Sequence, residues 1–460
     1  MVVDRLVPRL AQQRLREALA DSPVVFVHGP RQCGKTTLTQ MTCAPSALER
    51  GARSRLRSTT STEAHISGSE THAYITFDDL TVVEAARSDP MGFVDRLPPR
   101  VVLDEVQRVP ELYTAIKLAV DRDRSPGRFV LTGSTNLLLM PTLADSLVGR
   151  MQIVRMHPLT QRELSTEAHA GDAQADETGV LPREGADFLD SLFSGGFSVT
   201  RVEPERSRLA DRIAAGGYPA AVARPAGARR LNWYSDYLTS VIQRDLPNIS
   251  RVRVPDALSR LLEVCATQTA SLLNVSNLAS QLQISRPTVT EYLSALERLF
   301  LVDRLRPWHS NRSKRIIKTP KLHLGDAGLA CALLGVSAAD IYQDRKLLGQ
   351  LTETLVYSEL RSQANAHPAA HRLFHFRDRD GVEVDLVIER GAHRVGGIDI
   401  KASATATPAD FRGLRRLAAA SGDRFVGGAV IYDGEIAASF GDRLWALPIS
   451  SLWSPDFTSH

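Results

Sequence analysis

The stretch Val24-Val25-Phe26-Val27-His28-Gly29-Pro30-Arg31-Gln32-Cys33-Gly34-Lys35-Thr36-Thr37 decides how the first part of this chain folds. Its apolar run reads as a buried strand, and a helix is expected to begin near Lys35. Between them, Gly29 to Thr36 fills all eight positions of a phosphate-binding loop. Glycines let the backbone curl so that successive N–H groups face phosphate oxygens, and the helix adds its positive N-terminus. The loop implies bound ATP, held by Gly29, Pro30, Arg31, Gln32, Cys33, Gly34, Lys35, Thr36 and Thr37. Lys35 is expected to reach the β- and γ-phosphates, and the Thr36 hydroxyl to ligate Mg2+. A chance glycine turn is the bland alternative, and the strand before and helix after argue against it.

Downstream, Val101-Val102-Leu103-Asp104-Glu105 is an apolar strand ending in two acids. Asp104 would hold Mg2+ through water, and Glu105 would polarise the attacking water. The next strand, Phe129 to Thr132, carries Ser134 and Asn136 at its tip, where they could sense the γ-phosphate. Arg150 reads either as an arginine finger toward a neighbouring subunit's nucleotide or as a solvated surface arginine. Strands at Tyr74–Phe77, Val101–Leu103 and Phe129–Thr132, with helical stretches between them, predict a parallel sheet covered on both faces. An amphipathic helix over residues 4–20, with Leu6, Leu10, Leu15 and Leu19, precedes the first strand.

A chain of 460 residues is too long for one core, and about two to four domains are expected. No run of eighteen apolar residues and no signal-like N-terminus occurs, which points away from a membrane and toward the cytoplasm. Cys33, Cys43, Cys265 and Cys331 lack paired spacing, so reduced thiols are expected rather than disulfides or a metal site. A net charge of +4 is too mild to argue for nucleic acid. Residues 46–72 and 165–187 are polar or small and read as flexible insertions.

Residues 274–305 have the rhythm of a winged helix-turn-helix. Ser276 is expected to cap a short helix through Leu282, and Ser285 a second one with Pro287 in its first turn. The second helix would bury Val289, Tyr292, Leu293, Leu296 and Leu299 and leave Arg286, Thr288, Thr290 and Glu291 outward. The basic segment Arg304 to Lys321, with Arg306, Arg312, Lys314, Arg315 and Lys318, could form a phosphate-contacting wing. A packing or protein-interaction role is the alternative.

From about residue 345 the pattern changes to a helix, strands and a final helix. Glu383 and Asp385 share one strand face, as do Asp399 and Lys401 on the next strand. An acid, a hairpin and then acid-x-Lys is the constellation of the restriction-endonuclease-like fold, with Glu353, rather than Glu359, as a third acid. Glu353, Asp385 and Asp399 would bind Mg2+, and Lys401 would position or activate water. An ion-paired strand pair in a DNA-binding or scaffolding domain is the alternative.

Gly29 to Leu38, VVLDEVQ, LTGSTN and Gly149-Arg150 to Pro158-Leu159 together resemble a group of prokaryotic AAA-type ATPases whose loop reads GPRQ-x-GKTT. The likeness continues through Gly216-Gly217-Tyr218-Pro219, Arg244-Asp245-Leu246 and Lys321 to Leu329. It implies a cytoplasmic ATPase with a C-terminal domain similar to restriction endonucleases; where such domains often carry Glu in the acid-x-Lys pair, this chain has Asp399. The expected fold is α/β: an AAA-type P-loop domain over 1–204, a mostly helical winged-helix region over 205–340 and a restriction-endonuclease-like domain over 341–460. The expected function is a homo-oligomeric, DNA-binding ATPase that remodels or translocates on duplex, branched or damaged DNA. The alternatives are a regulatory, toxin-like or stress-response switch whose C-terminal domain binds a protein, and an ATP-gated metal-dependent nuclease.

Overall fold

The computed structural model describes residues 6–43, 71–134, 147, 149–169, 187–194, 196–244, 255–310, 319–441 and 443–454. The chain divides into two compact units, one spanning Arg9–His157 and the other taking in Pro158 onward.

In the first unit, α1 (Ala11–Asp21) leads into β1 (Val24–His28), α2 (Lys35–Cys43), β2 (Ala73–Thr76), α3 (Leu80–Ser88) and α4 (Pro90–Asp95). β3 (Val101–Asp104), α5 (Leu112–Arg122), β4 (Phe129–Gly133) and β5 (Met151–Arg155) complete it. The five strands are parallel in the order β2-β3-β4-β1-β5. β1, β3 and β4 are buried at every position. That is why they read as unbroken apolar runs rather than alternating ones. Helix α1 begins at Ala11, not residue 4. Pro8 disfavours helical backbone at the residue before it, which delays the start.

In the second unit come α6 (Gln161–His169), α7 (Phe188–Ser194), β6 (Thr200–Arg201), α8 (Ser207–Ala215), α9 (Pro219–Val222) and α10 (Ala228–Arg244). Then α11 (Pro255–Thr267), β7 (Ser271–Leu272), α12 (Val275–Leu282), α13 (Arg286–Arg298), β8 (Val302–Leu305) and β9 (Lys321–Leu324) follow one another. β9 is the central strand of a three-stranded antiparallel sheet, paired with β7 and β8. Helix α12 is capped by Asn274, whose side chain accepts from Asn277 N–H at 3.0 Å, and not by Ser276. The helix starts two residues earlier than a cap at Ser276 allows. Ser285 caps α13 as expected, accepting from Thr288 N–H at 3.2 Å, with Pro287 in the first turn.

After α14 (Ala327–Leu334) and α15 (Ala338–Gln343), α16 (Arg345–Ala366) opens the last layer. β10 (His371–Arg377), β11 (Glu383–Arg390), β12 (Arg394–Lys401), α17 (Arg412–Ser421), β13 (Phe425–Tyr432), β14 (Ile436–Ser439) and β15 (Leu444–Pro448) follow. β10, β11 and β12 pair antiparallel, and β13 runs parallel to β12. The seven-stranded order is β10-β11-β12-β13-β15-β14-β6. Strands thus follow α17, where a final helix was expected. The run Val426 to Tyr432 is apolar because β13 is covered on both faces.

The expected boundary near residue 204 also differs from the break between the compact units at His157. β6 extends the C-terminal sheet through β14, and Phe188, Leu189, Leu192 and Phe193 of α7 share a core with Ile398 and Ala429. The segment after 157 therefore packs with the C-terminal half. The expected insertions fall largely outside the described residues. At their edges, α6 runs on through His169, and His72 Nε2 bonds to the Gly127 carbonyl at 2.7 Å.

Candidate functional site

The loop between β1 and α2 is shaped by two glycines. A Cβ on Gly29 would lie 2.3 Å from the Met156 carbonyl oxygen, so no side chain fits there. Gly34 has φ +99°, a backbone conformation that L side chains rarely adopt. Arg9 braces the loop from outside the motif, donating from Nη1 to the Cys33 carbonyl and from Nη2 to the His157 carbonyl, both at 2.6 Å. Lys35 is almost fully buried, and its Nζ donates to the carbonyls of Gly29 (3.0 Å) and Pro30 (2.8 Å).

The two halves of the expected metal site meet. Thr36 Oγ1 lies 3.3 and 3.2 Å from the two oxygens of Asp104. Asp104 also accepts from Tyr74 Oη at 2.5 Å and from the Thr132 hydroxyl. Burial pushes the Asp104 carboxyl above its ordinary range, and the bonds from Thr132, Tyr74 and Thr36 pull against that shift. Glu105 sits in the left-handed region at φ 60°, with its N–H bonded to Thr132 Oγ1 at 3.1 Å. Its carboxylate accepts from Ser134 Oγ at 3.2 Å and from Gln107 Nε2, and Gln107 also reaches Ser134 Oγ at 3.1 Å.

Ser134 therefore stands beside Glu105, while Asn136 lies outside the described residues. Arg150 Nε pairs with Asp121 Oδ1 of α5 at 2.6 Å. Arg9, Tyr74, Gln107 and Thr132 belong to the site but were not singled out from sequence. Gln107 was within reach, two residues beyond Glu105 in the same motif.

The second group of expected site residues assembles around β11 and β12. Asp385 Oδ2 accepts from Ile400 N–H at 2.9 Å, and Lys401 Nζ donates to Asp399 Oδ1 at 2.8 Å. Glu353 arrives from α16. Between Glu353 and Asp385 stands Lys321 of β9, with Nζ 2.6 Å from Glu353 Oε1 and 3.0 Å from Asp385 Oδ1. Lys321 is only 3% exposed, so it is not a wing residue facing phosphates. Arg304 is also engaged, donating from Nε to Glu297 Oε1 at 2.7 Å.

Charge at this cluster is unevenly held. Burial and the Asp385 charge push Glu353 up to about 8. The same two causes push Asp399 up to about 8, with Lys401 opposing them. Burial alone would raise Asp385, yet the Lys321 ammonium and a hydrogen bond shared with Asp399 hold it well below the carboxylate range. Lys321 is raised despite its burial, by the charges of Asp385 and Glu353.

On α13, Arg286 and Thr290 are exposed and Thr288 is half-buried, while Val289, Tyr292, Leu293, Leu296 and Leu299 are buried. Arg312, Lys314 and Arg315 lie outside the described residues. Cys33, Cys43, Cys265 and Cys331 are free and buried. Among the described residues, no helix is long and apolar enough to cross a membrane.

A parallel sheet, a glycine loop opening onto α2 and an acid-tipped β3 make this unit a P-loop ATPase domain. Residues 21–165 match the family described as AAA domain. Residues 206–340 and 348–452 match two families described as domains of unknown function, DUF8612 and DUF4143. The chain is similar to uncharacterized protein Mb2031c of Mycobacterium bovis and uncharacterized protein Rv2008c of Mycobacterium tuberculosis. Each is 29% identical over 455 residues, covering 98% of this chain and 85% of the relative. Among solved structures, the Walker-type ATPase paby2304 of Pyrococcus abyssi matches with TM-score 0.38 and 15% identity, over 72% of this chain and 99% of that one. The signal transduction ATPase with numerous domains PH0952 of Pyrococcus horikoshii matches with TM-score 0.25 and 10% identity, over 79% and 48%. Likenesses this loose do not bear on function.

Proposed function

We infer that this protein is a cytoplasmic, homo-oligomeric ATPase that binds DNA and spends Mg2+-dependent ATP hydrolysis on remodelling it or moving along it. The Thr36–Asp104 pair supports the hydrolytic half, because it brings a hydroxyl and a carboxylate to the point where a loop-bound nucleotide would carry its metal. Thr36 and Asp104 would hold Mg2+, which would supply charge neutralisation at the reacting phosphates. Glu105 would orient and polarise the attacking water, with Ser134 and Gln107 holding its carboxylate in place.

One observation carries the DNA half. The order α11, β7, α12, α13, β8, β9 is that of a winged helix, and α13 presents Arg286 and Thr290 outward near its N-terminus. A recognition helix meets a groove with those positions. The order α16, β10, β11, β12, α17, β13 supports a restriction-endonuclease-like C-terminal domain. Glu353, Asp385 and Asp399 would hold its metal and Lys401 would position water. That two of these acids already hold an ammonium supports their fit to a cation.

A second reading, a regulatory ATPase whose C-terminal domain binds a protein partner, is favoured by the same ammonium, which engages carboxylates that cleavage would need. Phosphate release in the presence of duplex, single-stranded and four-way-junction DNA, with mobility shifts at two salt concentrations, separates the two. The DNA reading expects severalfold stimulation by at least one DNA shape and salt-sensitive binding weakened by Arg286→Ala. No stimulation and no shift with any DNA would overturn it.

A further inference from the structure

Lys321 belongs to no motif of the C-terminal sheet, yet it completes that sheet's carboxylate cluster. Its backbone is fixed from both sides, opposite Leu272 of β7 and Leu305 of β8. From there the side chain crosses to α16 and β11 and places Nζ within bonding distance of Glu353 and Asp385. Its neighbours on β9 and β8 tie the same surfaces together. His323 stacks on Tyr357 of α16 with ring centroids 4.4 Å apart, and Asp303 bonds Tyr357 Oη at 2.8 Å and also Arg361.

A buried lysine is costly unless its charge is met, and here the Asp385 carboxylate meets it, with Glu353 as a second oxygen acceptor. Two acids that close around one cationic nitrogen at 2.6 and 3.0 Å present the oxygen donors that a small divalent cation also demands. One position between them cannot hold both cations, because the ammonium occupies the lone pairs a metal needs and repels its charge.

We propose that Lys321 is a built-in competitor for a divalent cation at the Glu353–Asp385 pair, so that these carboxylates take a metal only when Lys321 withdraws. This rests on the reading of the C-terminal acids as a cation site and adds its regulation. The competing group comes from the three-stranded module, so whatever shifts β9 relative to α16 sets the occupancy. While Lys321 Nζ stays on Glu353 and Asp385, the site is closed to metal.

Mn2+ titration of the full-length, nucleotide-free chain tests this, with bound ion read from the loss of the free-ion paramagnetic resonance signal. The proteins compared are the wild type, Lys321→Met, Lys321→Gln and Lys321→Arg, each with and without Asp385→Asn, and each checked by its melting curve. The expected result is Asp385-dependent Mn2+ binding at least tenfold tighter in Lys321→Met or Lys321→Gln than in the wild type. Lys321→Arg should behave as the wild type, and Mn2+ should raise the melting midpoint of the lysine-less variants alone. Asp385-dependent binding of equal strength in the wild type and Lys321→Met would overturn the competition while leaving a cation site. No Asp385-dependent binding in any folded variant would overturn the cation site itself, and the competition with it. Using two lysine-less variants keeps the test decisive if one fails to fold.

Discussion

The nucleotide site and the C-terminal carboxylate cluster contain the same residue types, acids with a lysine close by, and bond them in opposite ways. At the first, Lys35 gives its protons to two backbone carbonyls, and Asp104 is held by the hydroxyls of Thr36, Tyr74 and Thr132. Neutral donors fix the carboxylate in position without cancelling its charge. At the second, Lys321 neutralises the acids directly, and Asp385 and Asp399 share a hydrogen bond. The difference teaches that a cluster of acids and lysines is a metal-ready site only when its partners leave charge over.

The largest expected effect breaks the first site. Lys35→Ala should lower ATP turnover by about 10²-fold or more, as loss of a preorganised charge at the reacting phosphates does. Phosphate release checks it, and the melting curve should stay near that of the parent.

A smaller effect sharpens the contrast through pH. Glu353 and Asp399 keep their protons to about 8 in the folded chain, whereas an unfolded chain loses them near pH 4. Between those limits the folded state binds more protons, so this contribution is full below about pH 4 and is lost as pH rises toward 8. Asp385 acts with the opposite sign, in the acid range that ends where this window begins, near pH 4. His323, His371 and His375, kept neutral by burial, work the other way below about pH 6.5. The test is therefore a difference: in scanning calorimetry of the full chain, the midpoint of Glu353→Gln should rise relative to that of the parent from pH 5 to 8. An unchanged difference would mean that Glu353 is not the proton holder.

The smallest effect concerns Arg150. Its bond to Asp121 lies at the surface, where ion pairs add little, so Arg150→Ala should barely move the melting midpoint. If that bond is its role, turnover should change by less than about twofold, against about 10³-fold for a lost arginine finger.

How much of this was legible in the sequence follows from where each partner lies. Gly29 to Thr36 and Val101 to Glu105 could be read because each motif carries its own geometry: a loop between strand and helix, and acids ending a buried strand. Ser285 could be read as a cap for the same reason, whereas Asn274 and Ser276 are both good caps and only the helix start separates them. Tyr74 and Arg9 escaped because they approach from other elements 30 and 24 positions away from Asp104 and Cys33. Lys321 was misread because a basic stretch before a strand reads as surface. Its burial depends on carboxylates 32 and 64 positions away, and no local pattern records that. The break at His157 was hidden because β6 pairs with a strand more than 230 positions downstream.

The central claim is that Asp104 and Glu105 form a working hydrolytic centre while the C-terminal acids are held closed, and Glu105→Gln tests it most directly. Single-turnover hydrolysis of Mg2+-ATP should fall about 10²-fold in this variant, in keeping with loss of a general base, while ATP binding is retained. Hydrolysis at the parent rate would contradict the account.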